Sequence, residues 1–198
     1  VISEGSVFVM DSESRVRAYS QETGDKLWAV NLTPPEEEDG VVGGGLSAEY
    51  GRLFATTSYG EVYSLDPKTG GMYWKADIGA PIRAAATVAE ELVFVSTYDS
   101  RVYALDVLTG ETKWSYEGGV EATGLLGAAS PAVDSGTVVV PFSSGELFAL
   151  RADNGNQAWS DQLRSKRGLS SLTSLADINA FPVVDRGMIF AASYSGQM

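Results

Sequence analysis

The sequence predicts an all-β fold built of β-propeller blades, and three observations carry that expectation. Four tryptophans, Trp28, Trp74, Trp114 and Trp159, each close a repeated phrase. An apolar, β-rich run precedes each phrase at a fixed distance, and length varies between the units rather than within them. Such internal periodicity is the mark of a repeat architecture.

The phrases run from Ala18-Tyr19-Ser20 through Thr23-Gly24 to Trp28, and from Ser64-Leu65-Asp66 through Thr69-Gly70 to Trp74. The third runs from Ala104-Leu105-Asp106 through Thr109-Gly110 to Trp114, and the fourth from Ala149-Leu150-Arg151 through Asn154-Gly155 to Trp159. Twenty residues before the tryptophans stand Phe8, Phe54, Phe94 and Val139, inside runs 6–10, 53–57, 92–97 and 137–140 that read as strands. The Trp-to-Trp pitch is 46, 40 and 45 residues, so the variation falls in the connections.

The third unit shows the plan, with strands expected at 84–88, 92–97, 101–105 and 112–116. Tyr98-Asp99-Ser100 makes a tight turn, matched by Ser58-Tyr59-Gly60 and Ser143-Ser144-Gly145. Between the third and fourth strands, Asp106 can bond backbone amides and Gly110 suits the left-handed position of a bulged hairpin. This antiparallel meander has two apolar faces and cannot bury them alone. Packing sheet on sheet around an axis solves the problem, and repeats of about 40 to 50 residues fall in the propeller range. Solenoid β-helices have shorter coils and lack such a hairpin in every unit.

The repeats are placed at 1–32, 45–78, 84–117 and 128–163, with an incomplete copy at 180–198 that puts Phe190 where Phe8 stands. The chain reads as part of a longer array, forming an open arc with two exposed flanks. The longest connections, 31–49, 117–131 and 160–182, all join a fourth strand to the next first strand. In a propeller they emerge on one side, together with the turns between second and third strands.

Composition narrows the function. Twenty-six acidic against 14 basic residues give a net charge of -12, which repels nucleic acid. The chain has no histidine and no cysteine, which removes imidazole bases, Ser-His-Asp triads, thiolate chemistry and disulfides. No run approaches the roughly 18 apolar residues of a membrane span, and no signal peptide is visible.

The phrase Ala/Ser-Leu-Asp-x-x-Thr-Gly-x-x-x-Trp resembles the tryptophan-docking motif of the pyrroloquinoline-quinone-type propellers, which are eight-bladed. Repeats two and three match it fully; Ser20 replaces the Asp in the first, and Arg151 and Asn154 depart from it in the fourth. The resemblance implies that each indole packs over the Thr-Gly peptide of a neighbouring blade. It gives Trp28, Trp74, Trp114, Trp159, Gly24, Gly70, Gly110 and Gly155 a structural docking role and no part in holding a cofactor.

The inter-blade phrases Gly124-Leu125-Leu126-Gly127-Ala128-Ala129-Ser130-Pro131 and Leu175-Ala176-Asp177-Ile178-Asn179-Ala180-Phe181-Pro182 carry a closer resemblance, to the BamB family. Its members are lipoprotein subunits of the outer-membrane β-barrel assembly machinery. That resemblance implies a non-enzymatic periplasmic scaffold, anchored to the outer membrane by a lipid, that grips the periplasmic domains of the barrel-inserting (BamA-like) subunit. The implied partner-binding residues are Thr123, Leu125, Leu126, Asp177 and Asn179. Leu126 stands where the family can carry an arginine, and Asn179 where it can carry an aspartate. The rival reading is a fragment of a quinoprotein dehydrogenase or another cofactor-binding propeller, of which the dehydrogenase would be expected to supply vicinal cysteines.

Three other features have plainer readings. Glu36-Glu37-Glu38-Asp39 lacks the alternating oxygen spacing of a calcium loop and reads as a solvated connection. Arg164-Ser165-Lys166-Arg167 is the one basic cluster, read as surface charge beside the Asp177 loop, where opposite charges can orient a partner. Asp66, Asp106 and Asp153 sit at or near equivalent turn positions, so turn chemistry accounts for them.

Overall fold

The computed structural model describes residues 1–35, 43–82, 84–118, 129–142, 145–162, 178 and 180–192. Four antiparallel sheets of four strands follow one another along the chain. The first blade is β1 (Ile2–Ser3), β2 (Ser6–Met10), β3 (Arg15–Ser20) and β4 (Lys26–Asn31). The second is β5 (Gly44–Glu49), β6 (Arg52–Thr57), β7 (Glu61–Leu65) and β8 (Met72–Asp77). The third is β9 (Thr87–Ala89), β10 (Leu92–Ser96), β11 (Arg101–Asp106) and β12 (Thr112–Glu117). The fourth is β13 (Ala132–Asp134), β14 (Thr137–Pro141), β15 (Glu146–Arg151) and β16 (Gln157–Gln162). A further hairpin, β17 (Val183–Asp185) and β18 (Met188–Phe190), follows. Among the described residues no helix is long and apolar enough to cross a membrane.

Each sheet is a simple meander because its turns are short and locally specified. The turns between first and second strands place two residues at positive φ, as a two-residue hairpin whose twist matches its strands requires. These pairs are Glu4-Gly5, Tyr50-Gly51, Glu90-Glu91, Ser135-Gly136 and Arg186-Gly187. Glu91, at φ 62°, occupies the position that glycine holds in the other four. Between third and fourth strands every complete blade carries a register shift at the same point, after Ala18, Ser64, Ala104 and Ala149.

The core lies between blades. Period-two alternation divides the side chains of each strand between two neighbours. Thus Val93 and Val95 join Phe54, Val62 and Trp74 of the second blade, while Phe94 joins Val138, Val140 and Leu150 of the fourth. Phe8, Val16 and Ala18 likewise pack on Leu53, Ala55 and Leu65. Phe8, Phe54, Phe94 and Val139 are all at most 2% exposed. Burying an aromatic or branched aliphatic side chain contributes about 1.5–3 kcal/mol, so each joint is held mainly by such residues.

The first strand of the third blade begins later than the 84–88 expected and covers Thr87–Ala89. Neighbouring blades supply the reason. The carbonyl of Ala84 accepts from the Thr56 hydroxyl at 2.7 Å, and that of Ala85 accepts from the Ser130 hydroxyl at 2.6 Å. With those acceptors satisfied from the side, this stretch has less need of the β10 ladder.

Candidate functional site

Two sets of residues stand out, the indole joints and the face where the inter-blade connections leave. The joints rest on one turn, repeated four times. In it the N–H of Gly24, Gly70, Gly110 and Gly155 donates to the carbonyl of Ser20, Asp66, Asp106 and Arg151, at 2.8–2.9 Å. These glycines hold φ of 73–74°, a left-handed conformation that glycine adopts at little cost.

Side chains finish the turn differently from blade to blade. Asp66 Oδ1 accepts from the N–H groups of Lys68 (2.7 Å) and Thr69 (3.2 Å), and Asp106 Oδ1 from Leu108 (2.9 Å) and Thr109 (3.0 Å). Ser20 does the same for Thr23 at 3.2 Å. The ionised form is favoured where the acceptor is a carboxylate. The Lys68 N–H lowers the Asp66 pKa, and the Lys113 ammonium, 3.1 Å away, leads in lowering that of Asp106 to about 2.

The indoles lie against this turn in the following blade. Trp28 Nε1 donates to Pro67 O at 3.0 Å, Trp74 Nε1 to Val107 O at 3.1 Å, and Trp114 Nε1 to Ala152 O at 2.8 Å. The rings cover the turn glycines so closely that a Cβ on Gly70, Gly110 or Gly155 would come within 2.6–2.8 Å of an indole carbon. Each ring also meets the aromatic of its own second strand, with centroids 5.8 Å apart for Phe8–Trp28, 6.0 Å for Phe54–Trp74 and 5.9 Å for Phe94–Trp114. The remaining two members of the series stand apart: Trp159 is 40% exposed, and a Cβ on Gly24 would meet nothing within 4 Å. The accepting carbonyls are backbone groups, so residue type did not reveal them. Their signal was positional, one residue after Asp66, Asp106 and Arg151.

The connections leave from the opposite end of the strands. In the first three blades the first residue past the fourth strand bonds the turn between second and third strands of its own blade: Leu32 N–H to Ser14 O (3.1 Å), Ile78 N–H to Gly60 O (2.8 Å) and Gly118 N–H to Ser100 O (2.9 Å). Exits and turns therefore share one face. Its described charges are largely paired, Arg15 with Glu13, Arg17 with Asp11 at 2.8 Å, and Arg101 with Asp99 and Glu117 at 3.5 Å each. Beneath it, the side chain of Glu61 is 9% exposed and is bound by the Lys75 ammonium. It also accepts from the Tyr63 hydroxyl at 2.5 Å, and burial, then this hydrogen bond, push the Tyr63 pKa up. A buried carboxylate is tolerated when paired in this way.

Thr123, Leu125, Leu126, Asp177 and Asn179 lie outside the described residues, as do residues 36–39 and 164–167. Their flanks are described. Ala129 is 1% exposed, and Ile178 is 1% exposed against Val139, Leu147 and Ala191. Among the described residues no group of three or more acidic side chains is arranged to hold a metal.

Four-stranded antiparallel blades, packed face to face and joined by indoles seated on the next blade's turn, define a tryptophan-docked β-propeller array. More narrowly, the chain belongs to the family described as outer membrane protein assembly factor BamB, whose model matches residues 12–198. It is 25% identical to the BamB of Yersinia pestis over 198 residues, covering 98% of this chain and 50% of that protein. Among solved structures, BamB from Moraxella catarrhalis superposes with a TM-score of 0.85 at 27% identity, over 98% of this chain and 57% of that one. The quinohemoprotein alcohol dehydrogenase of Comamonas testosteroni superposes with a TM-score of 0.68 at 17% identity, over 100% of this chain and 41% of that one, a likeness of fold alone. The chain spans about half the length of the curated relatives it matches.

Proposed function

We propose that this chain is part of a non-catalytic scaffold of the outer-membrane β-barrel assembly machinery. In this reading it works on the periplasmic side of the outer membrane, held there by a lipid anchor in the full-length protein. Its partner is the barrel-inserting subunit, whose periplasmic domains it holds through the connections after the third and fourth blades. Leu125 and Leu126 act as an apolar anchor and Asp177 and Asn179 as its polar rim, with Thr123 beside them.

The observation that carries the proposal is the family match, which runs through both connections. The geometry of the exits supports it, since Gly118 leaves the third blade on the face that also presents the turns. Loops carried on a rigid scaffold are where binding surfaces concentrate. The alternative, a quinone-dependent dehydrogenase, shares the fold, but three indoles are here engaged with turn glycines and carbonyls rather than free to stack on a planar cofactor. The test is capture of the purified periplasmic domains of a barrel-inserting subunit. Replacing Leu125 and Leu126 by Asp should abolish capture and leave the thermal melt nearly unchanged. Undiminished capture would refute the assignment.

A further inference from the structure

The joint between the third and fourth blades reverses the packing used at the two joints before it. The first blade ends in Leu32, which is 5% exposed and packs into the core with Tyr63, and the second ends in Ile78, which packs against the core of the next joint. A large aliphatic at the exit therefore ties each of these strands into the following blade. The equivalent residue of the third blade is Gly118, which has no side chain to insert. The next blade reaches back instead: Phe142, 3% exposed, lies so close that a Cβ on Gly118 would come 2.5 Å from its Cε2.

Phe142 is itself a departure from the repeat. Its counterparts begin the turn between second and third strands and carry oxygen: Asp11 Oδ1 accepts from the N–H of Arg15 (3.0 Å), Thr57 Oγ1 from that of Glu61 (3.3 Å) and Thr97 Oγ1 from that of Arg101 (3.2 Å). Phe142 keeps the backbone bond of this turn, N–H to Glu146 O at 2.9 Å, and offers no side-chain acceptor. Its ring packs tilted against Phe148, with centroids 5.3 Å apart and the planes at 60°. A small exit residue and a large turn residue thus replace a large exit residue and a small turn residue. Each change alone would leave a void or a clash.

The connection that follows is long, eleven steps from Gly118 to Ala129, but that from Leu32 to Gly44 spans twelve with a large exit residue, so the exchange belongs to this joint and not to length. The returning end is held separately, with the Ser130 hydroxyl donating to Ala85 O at 2.6 Å and the Thr87 hydroxyl donating to Pro131 O at 2.5 Å. Fixed ends limit the paths that a connection can take and reduce the entropy lost when it binds.

We infer that Gly118 and Phe142 form a positioning pair that sets the departure of the connection bearing Leu125 and Leu126. The inference rests on the docking role proposed for that connection. Gly118 lets the strand end turn away without committing a side chain to the core, and the Phe142 ring is the footing against which it turns.

The experiment measures both thermal melting and capture of purified periplasmic domains of a barrel-inserting subunit. Gly118→Ile should melt early, because its side chain meets Phe142. The double variant Gly118→Ile, Phe142→Thr rebuilds the arrangement of the second and third blades, and its melt should return to within a few degrees of the parent. Capture by it should nonetheless be weakened about tenfold or more, as when one anchor is misplaced. Parent-like capture by a double variant that melts like the parent would overturn the inference. If the double variant does not fold, Phe142→Leu decides: it keeps an apolar side chain without the flat ring, and unchanged capture overturns the inference. Leu125→Asp, Leu126→Asp is run alongside. Unchanged capture there removes the docking role and the positioning role together, whereas its loss beside full capture by the Phe142 variants removes the positioning role alone.

Discussion

Replacing the same residue at the same repeat position should have very different costs in the third and fourth blades. Trp114 is 9% exposed and donates to Ala152 O at 2.8 Å, whereas Trp159 is 40% exposed. The difference is about a third of an indole side chain, or roughly 80 Å² of the 250 Å² that a tryptophan can bury. At about 25 cal/mol per Å² this contributes about 2 kcal/mol. The hydrogen bond adds about 1 kcal/mol, since its loss leaves a buried carbonyl without its indole donor. Trp114→Ala should therefore destabilise by about 3–5 kcal/mol, as large buried aromatics do, and Trp159→Ala by about 3 kcal/mol less. Urea melts followed by far-ultraviolet circular dichroism, with a shared slope, give both values. Costs equal within about 1 kcal/mol would show that seating on the next blade's turn contributes little, and the account of the joints would fail.

Two further outcomes follow from individual turns. Glu91→Gly should raise stability by about 0.5–1 kcal/mol, because φ 62° strains a residue with a Cβ; a fall in the melting temperature would show that Glu91 earns its place through a contact. Asp106 has a folded pKa lowered from 3.8 to about 2, so its contribution is fully present above about pH 4 and is lost as pH falls towards 2. Asp106→Asn should remove part of the acid sensitivity in that window, and denaturant midpoints that fall just as steeply with pH in the variant would contradict the assigned cause.

Much of the fold was legible because its determinants are local. Turn chemistry at Gly24, Gly70, Gly110 and Gly155 fixes the register of the third and fourth strands, and the twenty-residue spacing ties each Trp to a second-strand anchor. The first strand of the third blade starts later than its sequence suggests because Ala84 and Ala85 are satisfied by Thr56 and Ser130, partners 28 and 45 residues away. Trp159 keeps the phase of its counterparts after a turn glycine, yet its exposure depends on what packs beside it. The Gly118 and Phe142 exchange was missed, although aligning Leu32 and Ile78 with Gly118, and Thr57 and Thr97 with Phe142, displays it. A compensated pair separated by 24 positions looks like two unrelated departures until the joint is seen. For the residues proposed to bind the partner, the sequence supplies only the family phrase in which they stand.

The central claim is that the partner meets the face from which the connections leave. Photocrosslinking tests it most directly, with a photoreactive amino acid placed in turn at Leu125 and at Leu108, in the presence of the purified periplasmic domains. Leu108 is 64% exposed and sits in the turn between third and fourth strands, at the opposite end of the blade. The account predicts a crosslinked product from position 125 and none from position 108. Crosslinking from position 108, or from both equally, would contradict it.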